Sequence, residues 1–337
     1  MADDDAWIYE DKRVPTSGLS VTAGKRKEEF SPLPVPYSEM RPAAYDPIAR
    51  VADMDRAGIL GSLCFPSFPR FCGQIFWEAK DKDLALLCVQ AYNDWMIDEW
   101  CAGDGKGRLI PLGMIPLWDA ELAAAEVRRS ASRGCHAVAF SENPHPLGLP
   151  SIHSGHWDPF FAACQDTDTV VCMHIGSSSR MPATSPDAPF IVSSTLTFQN
   201  AMGSMLDYIF SGTLERFPTL KIAYSEGQVG WMPYVLERAD KLWAERSDNS
   251  FGTSLPNPPT SYVAGRIFGC IFDDLHGLKS RHEIGMNQIL FECDFPHPNG
   301  SFPNSLAVAH RLISDAGLDA HESYRLLRGN AIDVYGL

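Results

Sequence analysis

The stretch that decides the fold is residues 136–175, HAVAFSENPHPLGLPSIHSGHWDPFFAACQDTDTVVCMHI. It contains two short apolar runs, His136–Phe140 and Thr169–Ile175, on either side of a helical pattern at Asp158–Cys164. Both runs are almost continuously apolar, which is typical of strands that are covered on both faces. A strand, a helix and a second strand in this order predict two neighbouring parallel strands.

The same alternation continues over most of the chain. Five further strands are predicted at Ile59–Phe65, Leu109–Leu117, Leu220–Tyr224, Arg266–Phe272 and Gln288–Cys293. Further helices are predicted at Pro47–Ala57, Asp81–Trp100, Glu121–Arg133, Thr197–Phe210, Met232–Arg246, Asn304–Ala316 and Glu322–Val334, with a weaker one before the last strand. This pattern predicts an α/β fold, a TIM-type (β/α)8 barrel. Because only seven strand–helix units are found, we expect the first strand to be lacking or atypical.

Residues 1–45 have a different pattern. Two short apolar segments flank the charged residues 10–12 and predict a small hairpin, and a charged and then proline-rich run follows. We therefore expect residues 1–45 to form an irregular N-terminal arm and residues 46–337 to form one barrel domain. The length of 337 residues suits a single barrel of this kind, since such barrels often exceed about 250 residues.

The composition excludes several classes of protein. There are 42 acidic and 28 basic side chains, a net charge of −14, whereas binding to nucleic acid or to an anionic membrane requires clustered basic residues. The nine cysteines include no CxxC pair, which predicts free thiols rather than a disulfide framework. Residues 1–12 have neither the basic nor the apolar part of a signal peptide, so we expect a cytoplasmic protein.

The predicted strands deliver polar groups to one end of the barrel. Glu142, His174, Glu226 and Asp294 each stand at the carboxyl end of a different strand, and His297 follows three residues after Asp294. Active sites of such barrels are built at this end. Carboxylates and imidazoles are ligands that suit zinc, iron or manganese. The pattern therefore predicts a metal site, with zinc as the first expectation and iron or manganese as alternatives.

Each of these residues also has a purely structural interpretation. His174 resembles a hydrogen-bonded core histidine, Glu142 and Glu226 suit helix N-termini, and Asp294 before Phe-Pro suits a turn. Taken together, converging carboxylates repel one another unless a metal or a strongly cationic substrate neutralises them. Arg180 either binds a substrate carboxylate or is solvated.

Several segments, among them VCMHIGSSS, LERFPTLKIAYSEGQVGWMPYVLERAD and FECDFPHPNGS, resemble the amidohydrolase-related family. This family contains TIM-barrel metalloproteins, including decarboxylases of the aminocarboxymuconate-semialdehyde type. The resemblance implies that His174 and Asp294 are metal ligands. It places Glu226 where many members have a second histidine and Glu142 where related barrels have a bridging carboxylate.

One departure from the family is large. Its first strand supplies two ligands from an HxH pair, and this sequence contains no HxH. We expect a single ion to be held by Glu142, His174 and Asp294, with Glu226 or His297 completing the shell. Together with the missing strand, this resembles a reduced subunit of a heteromeric oxygenase. Its partner would be a second amidohydrolase-related subunit that carries the redox metals and hydroxylates a small amino acid such as 2-aminoisobutyrate.

Two other interpretations stay open. The first is a stand-alone, single-zinc hydrolase or decarboxylase of a small carboxylate, with Glu226 or His297 as general acid/base. The second is a degenerate barrel that serves as a structural subunit. The aromatic-rich segment 63–77, LCFPSFPRFCGQIFW, is either an interface with a partner or a loop that covers the barrel mouth.

Overall fold

Parallel strands follow one another around the wall of a TIM-type barrel in the computed structural model, which describes residues 5–245 and 255–337. Within these ranges there are seven such strands: β3 Ser62–Leu63, β4 Leu109–Ile110, β5 Ala137–Phe140, β6 Val170–His174, β7 Ile222–Ser225, β8 Ile267–Ile271 and β9 Ile289–Phe291. They are the seven that the sequence predicts, so the prediction of the barrel is confirmed.

The strands are joined in chain order. β5 to β9 form one parallel sheet, and β3 pairs with β4. The two sheets meet at Gly113, whose N–H donates to the Ala137 carbonyl at 2.9 Å and whose carbonyl accepts from the Ala139 N–H at 2.8 Å. Within the described residues β9 and β3 do not pair with each other, so this is the position where the eighth strand is lacking.

Two of the predicted strands are much longer than the observed ones. Ile59–Phe65 is reduced to β3, and Leu109–Leu117 to β4 and the bridge at Gly113. Pro111 has no N–H to donate to a ladder, which limits regular pairing there. Residues 112–117 of this run are buried even though most of them do not pair, so the apolar character of the run reflects burial and not strand length.

Helices connect the strands and cover the outside of the barrel. They are α1 Pro47–Ala57, α2 Gln74–Trp77, α3 Lys82–Trp95, α4 Ala120–Ala131, α5 Asp158–Asp166, α6 Phe190–Thr195, α7 Gln199–Phe210, α8 Thr213–Arg216, α9 Met232–Glu245, α10 Leu275–Lys279, α11 Arg281–Ile284, α12 Ser305–Ala316, α13 Ala320–Tyr324 and α14 Asn330–Tyr335. Helix α1 has the predicted bounds, since Asp46 accepts from the N–H groups of Ile48 and Ala49 and Pro47 occupies the first position.

Other helices differ from the prediction in their ends. The predicted helix Asp81–Trp100 is α3 followed by a wider, π-helical turn at Met96–Trp100. The last predicted helix is divided into α13, a π-helical turn at Arg325–Gly329, and α14. Arg246, the predicted end of the helix that contains α9, lies outside the described residues.

The N-terminal arm, residues 5–45 of the described chain, begins with the predicted hairpin. β1 Ala6–Tyr9 pairs antiparallel with β2 Lys12–Pro15. The rest of the arm folds back on itself around a small cluster of Val21, Val35 and Met40. Gly18 is required there, because a Cβ at this position would lie 2.5 Å from the Ser31 carbonyl oxygen.

All nine cysteines lie in the described ranges and are free thiols, and six of them are buried. The expectation of unpaired thiols is therefore confirmed. Across residues 5–245 and 255–337, every helix is too short or too polar to cross a lipid bilayer.

Substitution of Phe140, on β5, tests how far the stability of the barrel depends on the packing of its core. The Phe140 ring is fully buried and meets the Trp157 ring edge-on, at 4.9 Å between centroids. We expect Phe140→Ala to lower the free energy of unfolding by about 3–5 kcal/mol, measured by urea denaturation. The control Phe190→Ala removes a ring that is 84% exposed and should change the free energy by less than about 0.5 kcal/mol. Equal effects of the two substitutions would contradict this account of the core.

Candidate active site

The carboxyl ends of β6, β7 and β9 bring four of the predicted residues together. His174 is the last residue of β6, Glu226 follows β7, and Asp294 and His297 lie in the loop after β9. The ligand atoms of Glu226, Asp294 and His297 all lie within 4.8 Å of one another. Nε2 of His174 lies 2.9 Å from Oε1 of Glu226. We call these four residues the mouth cluster.

Ion-pair contacts link the members of the mouth cluster in a chain. Nδ1 of His297 is 2.9 Å from Oδ1 of Asp294 and 3.7 Å from Oε1 of Glu226. The side chains are largely shielded from solvent, with 7% of His174, 14% of Glu226 and 5% of Asp294 exposed. His297 is the most accessible, at 35%.

The backbone is strained where it presents the two carboxylates. Glu226 has a φ of +59° and Asp294 a φ of +48°, both in the left-handed region that residues with a Cβ seldom adopt. Such conformations cost of order 1 kcal/mol or more each and cluster at functional sites. The strain directs both carboxylates into the mouth cluster instead of along their strands.

The orientation of His174 is fixed on both sides of its ring. Nδ1 lies 2.7 Å from the Ile175 carbonyl oxygen and therefore donates to it, which leaves Nε2 facing Glu226. Phe71 stacks on the imidazole at 4.1 Å with an interplanar angle of 9°, and Phe65 meets it edge-on at 5.0 Å. A backbone carbonyl on one ring nitrogen is a common arrangement for histidines that bind metals through the other.

The charged groups of the mouth cluster shift one another's pKa values. Burial lowers the pKa of His297, but Asp294 and Glu226 outweigh this effect and raise it to about 10. Burial also lowers the pKa of His174, yet the Glu226 carboxylate brings the net value above normal. Burial raises the pKa of Asp294 to about 6, whereas the two histidines hold the pKa of Glu226 well below its usual value in spite of burial.

These pKa shifts modify the expectation that the converging carboxylates need a metal or a cationic substrate to neutralise them. At neutral pH His297, with a pKa of about 10, carries a positive charge beside the carboxylates of Glu226 and Asp294, and the raised pKa of His174 favours its charged form, so the imidazoles offset negative charge in the cluster without any added cation. Repulsion between carboxylates is therefore not by itself an argument for a metal. The chemistry of the donors is the better argument, because two carboxylate oxygens and an imidazole nitrogen within 4.8 Å form a set that suits zinc, iron or manganese.

Glu142 lies apart from the mouth cluster. Its Oε1 accepts from the Gly176 N–H at 2.9 Å, from Ser178 Oγ at 3.0 Å and from Asn200 Nδ2 at 2.8 Å. Oε2 is buried and has no hydrogen-bond partner in the described part of the chain. Burial outweighs the hydrogen bonds and raises the pKa of Glu142. The observed contacts make Glu142 an anchor for the segment after β6, while its role as a metal ligand stays a prediction.

Glu292 is a residue that the sequence analysis missed. Its Oε1 accepts from the Glu226 N–H at 2.8 Å, which helps to hold the strained backbone of Glu226. Burial raises its pKa well above the usual value, which favours the protonated form of the carboxyl group. Alternate residues of a strand point to the same face, and the spacing of Glu292 and Asp294 was the signal that could have identified it.

The aromatic-rich segment 63–77 packs over the barrel mouth. Phe65 and Phe71 contact His174, while Phe68 stacks on Trp7 of the arm at 4.8 Å. Of the two interpretations left open by the sequence, these contacts favour a covering loop over an exposed interface. The Arg180 side chain is exposed, in line with the solvated alternative for this residue.

Comparisons with known proteins agree on one family. The profile described as Amidohydrolase (Amidohydro_2) matches residues 14–337. The 2-amino-3-carboxymuconate-6-semialdehyde decarboxylase of Dictyostelium discoideum is 25% identical over 311 residues, 89% of this chain and 79% of that protein.

Solved structures agree in fold. An amidohydrolase from Mycobacterium avium subsp. paratuberculosis superposes with a TM-score of 0.70 and 20% identity over 96% of this chain and 83% of that one. A dihydroxybenzoic acid decarboxylase from Polaromonas sp. JS666, with bound manganese and the inhibitor 2-nitroresorcinol, superposes with a TM-score of 0.67 and 20% identity. The superposition covers 86% of this chain and 85% of that one. At this identity the likeness establishes the fold alone.

The anchoring role of Glu142 can be tested by measuring the stability of two variants at this position. Glu142→Ala leaves three donors without their acceptor, and we expect it to lower the free energy of unfolding by about 2–3 kcal/mol in urea denaturation. Glu142→Gln keeps Oε1 and removes a buried charge, so it should stay within about 1 kcal/mol of the wild type. The anchoring role is wrong if both variants are as stable as the wild type.

Proposed function

We propose, because this chain belongs to the amidohydrolase family, that it is a metal-dependent decarboxylase of a small carboxylate. The observation that carries the proposal is the convergence of Glu226, Asp294 and His297 ligand atoms within 4.8 Å at the carboxyl end of the barrel. Two named decarboxylases among the similar proteins support it, one of which binds manganese.

Glu226, Asp294 and His297 would hold one divalent ion, either zinc, iron or manganese. When bound, such an ion supplies a Lewis acid that polarises a substrate oxygen and stabilises negative charge. The remaining groups of the mouth act around it. The carboxyl group of Glu292 holds the Glu226 backbone by accepting from its N–H.

Decarboxylation breaks a carbon–carbon bond, releases CO2 and leaves an electron pair on carbon that a proton must take up. His174 is placed to deliver this proton, because its Nε2 faces the mouth cluster and the Glu226 carboxylate raises the pKa of the imidazole, which favours its protonated form. Its Nδ1–H bond to the Ile175 carbonyl holds the ring in this orientation. Phe65 and Phe71 line the same place with aromatic surface, which favours a flat, unsaturated carboxylate and restricts water.

A second candidate is a subunit of a heteromeric oxygenase, similar to the shorter amidohydrolase-related subunit of 2-aminoisobutyrate hydroxylase. The absence of HxH from the sequence favours it, because the mouth cluster has only two imidazoles with which to hold metal. In this alternative the redox metals lie in a second amidohydrolase-related subunit. Coexpression with candidate partner chains and native mass measurement tests it, since a chain that stays alone and is active alone rejects it.

The metal site is tested by titration with Mn²⁺ and by CO2 release. We expect one Mn²⁺ per chain, with affinity reduced about 100-fold or more in Asp294→Asn and His297→Ala, because each loses a ligand. His174→Gln should keep the metal and lose CO2 release. Suitable substrates are 2-amino-3-carboxymuconate-6-semialdehyde and dihydroxybenzoic acid.

The matched control for the histidine variants is His153→Ala, since His153 bonds to Asp207 at 2.9 Å and its side chain is 49% exposed. This variant should bind Mn²⁺ and act like the wild type. If the metal-loaded wild-type chain, tested without a partner, releases no CO2 from either compound, the proposed decarboxylase activity is contradicted. That result favours the second candidate or a purely structural barrel.

Metal binding should also depend on pH. Since the pKa of His297 is about 10, its imidazole carries an extra proton at neutral pH, and a metal that binds His297 must displace it. Mn²⁺ affinity is therefore expected to rise between about pH 6 and pH 8, by about tenfold per unit for each proton displaced. Calorimetry in two buffers of different ionisation enthalpy measures the release. An affinity independent of pH would contradict the raised pKa values.

A further inference from the structure

The loop after β9, residues 293–301, carries two members of the mouth cluster and is held from outside the barrel wall. Within it, His297 N–H donates to the Asp294 carbonyl at 3.0 Å and Gly300 N–H to the His297 carbonyl at 3.1 Å. Ser301 N–H donates to the Cys293 carbonyl at 3.0 Å. These bonds shape the loop but do not fix it against the rest of the molecule.

The N-terminal arm makes that attachment. The N–H groups of Thr22 and Ala23 and the hydroxyl of Thr22 all donate to the carbonyl oxygen of Pro296, at 2.9, 3.1 and 3.1 Å. Pro296 lies between Asp294 and His297 in the sequence. Thr22 is only 2% exposed, so the contact is shielded from competing water.

Two arginines hold aromatic rings on and beside the same loop. The guanidinium of Arg50, from α1, lies 3.9 Å from the centroid of the Phe295 ring and donates to Ser62 Oγ of β3 at 3.0 Å. The guanidinium of Arg41, from the arm, lies 4.7 Å from the centroid of the Phe302 ring. Arg50 is 5% exposed and contacts both β3 and the loop after β9, on the two sides of the position where the eighth strand is lacking.

We infer that the arm and α1 replace the missing strand as the support for the 293–301 loop, and that Thr22 and Arg50 are positioning residues for Asp294 and His297. Both act through the loop, since their contacts are with Pro296 and Phe295 and not with the mouth cluster. The metal-binding consequence of this inference depends on the proposed function, whereas the support of the loop does not.

The first test measures hydrogen–deuterium exchange of the 293–301 loop in the full, metal-free chain. Thr22→Val removes one donor at nearly constant shape, and Arg50→Lys keeps the charge but loses the planar guanidinium. Each should speed exchange of this loop about fivefold, with the rest of the barrel unchanged. Thr22→Ser restores the hydroxyl and should restore protection.

The controls are matched in chemistry and position. Thr16→Val makes the same substitution six residues away in the arm, and Arg56→Lys makes the same substitution on α1, at a side chain that is 67% exposed. Both should leave exchange of the loop within twofold of the wild type. Unchanged exchange in both Thr22→Val and Arg50→Lys would overturn the inference, and so would an equal rise across the whole barrel, which reports global destabilisation.

The second test titrates the same chains with Mn²⁺. Thr22→Val and Arg50→Lys should raise the dissociation constant about tenfold, as the loss of an outer support commonly does, and Thr22→Ser should not. Wild-type affinity in both variants would overturn the positioning role. If the wild-type chain binds no Mn²⁺, the proposed function fails, and the exchange measurement alone decides whether the arm supports the loop.

Discussion

The parallel hydrogen-bond ladder from β5 to β9 is the constraint on which the candidate site depends. In this ladder His174 lies opposite Ser225, so the chain leaves β7 at Glu226 beside the histidine. Ile271 lies opposite Phe291, so the chain leaves β9 at Glu292, two residues before Asp294. Parallel strands end at one edge, and these registers therefore assemble the mouth cluster from distant parts of the sequence. A shift of one residue would turn each side chain to the other face.

Much of this arrangement follows from the sequence because apolar runs mark strands, and the carboxylates and imidazoles at their carboxyl ends mark the barrel mouth. That reasoning identified His174, Glu226 and Asp294 without knowledge of any contact. His297 entered through its spacing from Asp294. The same reasoning overestimated the length of β3 and β4, because burial keeps a segment apolar whether or not its backbone pairs.

What the sequence could not provide is the identity of hydrogen-bond partners. Glu142 stands at a strand end like the others, but donors 34 and 58 residues away, at Gly176 and Asn200, draw its carboxylate out of the mouth cluster. Protonation is equally inaccessible to pattern analysis. Whether Glu292 keeps its proton and His297 gains one depends on burial and on neighbours a few ångströms away. The strained backbone at Glu226 and Asp294 likewise has no sequence signature.

The attachment of the arm to Pro296 has a consequence for how the chain is made. Thr22 and Pro296 are 274 residues apart, so the arm leaves the ribosome long before its binding site exists. At common rates of synthesis the delay is roughly 15–55 s, during which the arm has its own small cluster and its contact with Phe68 to order it, but not its attachment to Pro296. The barrel wall therefore closes last, when both ends of the chain are present. Nascent chains that stop before the final strand would carry a complete arm but would lack Asp294 and His297.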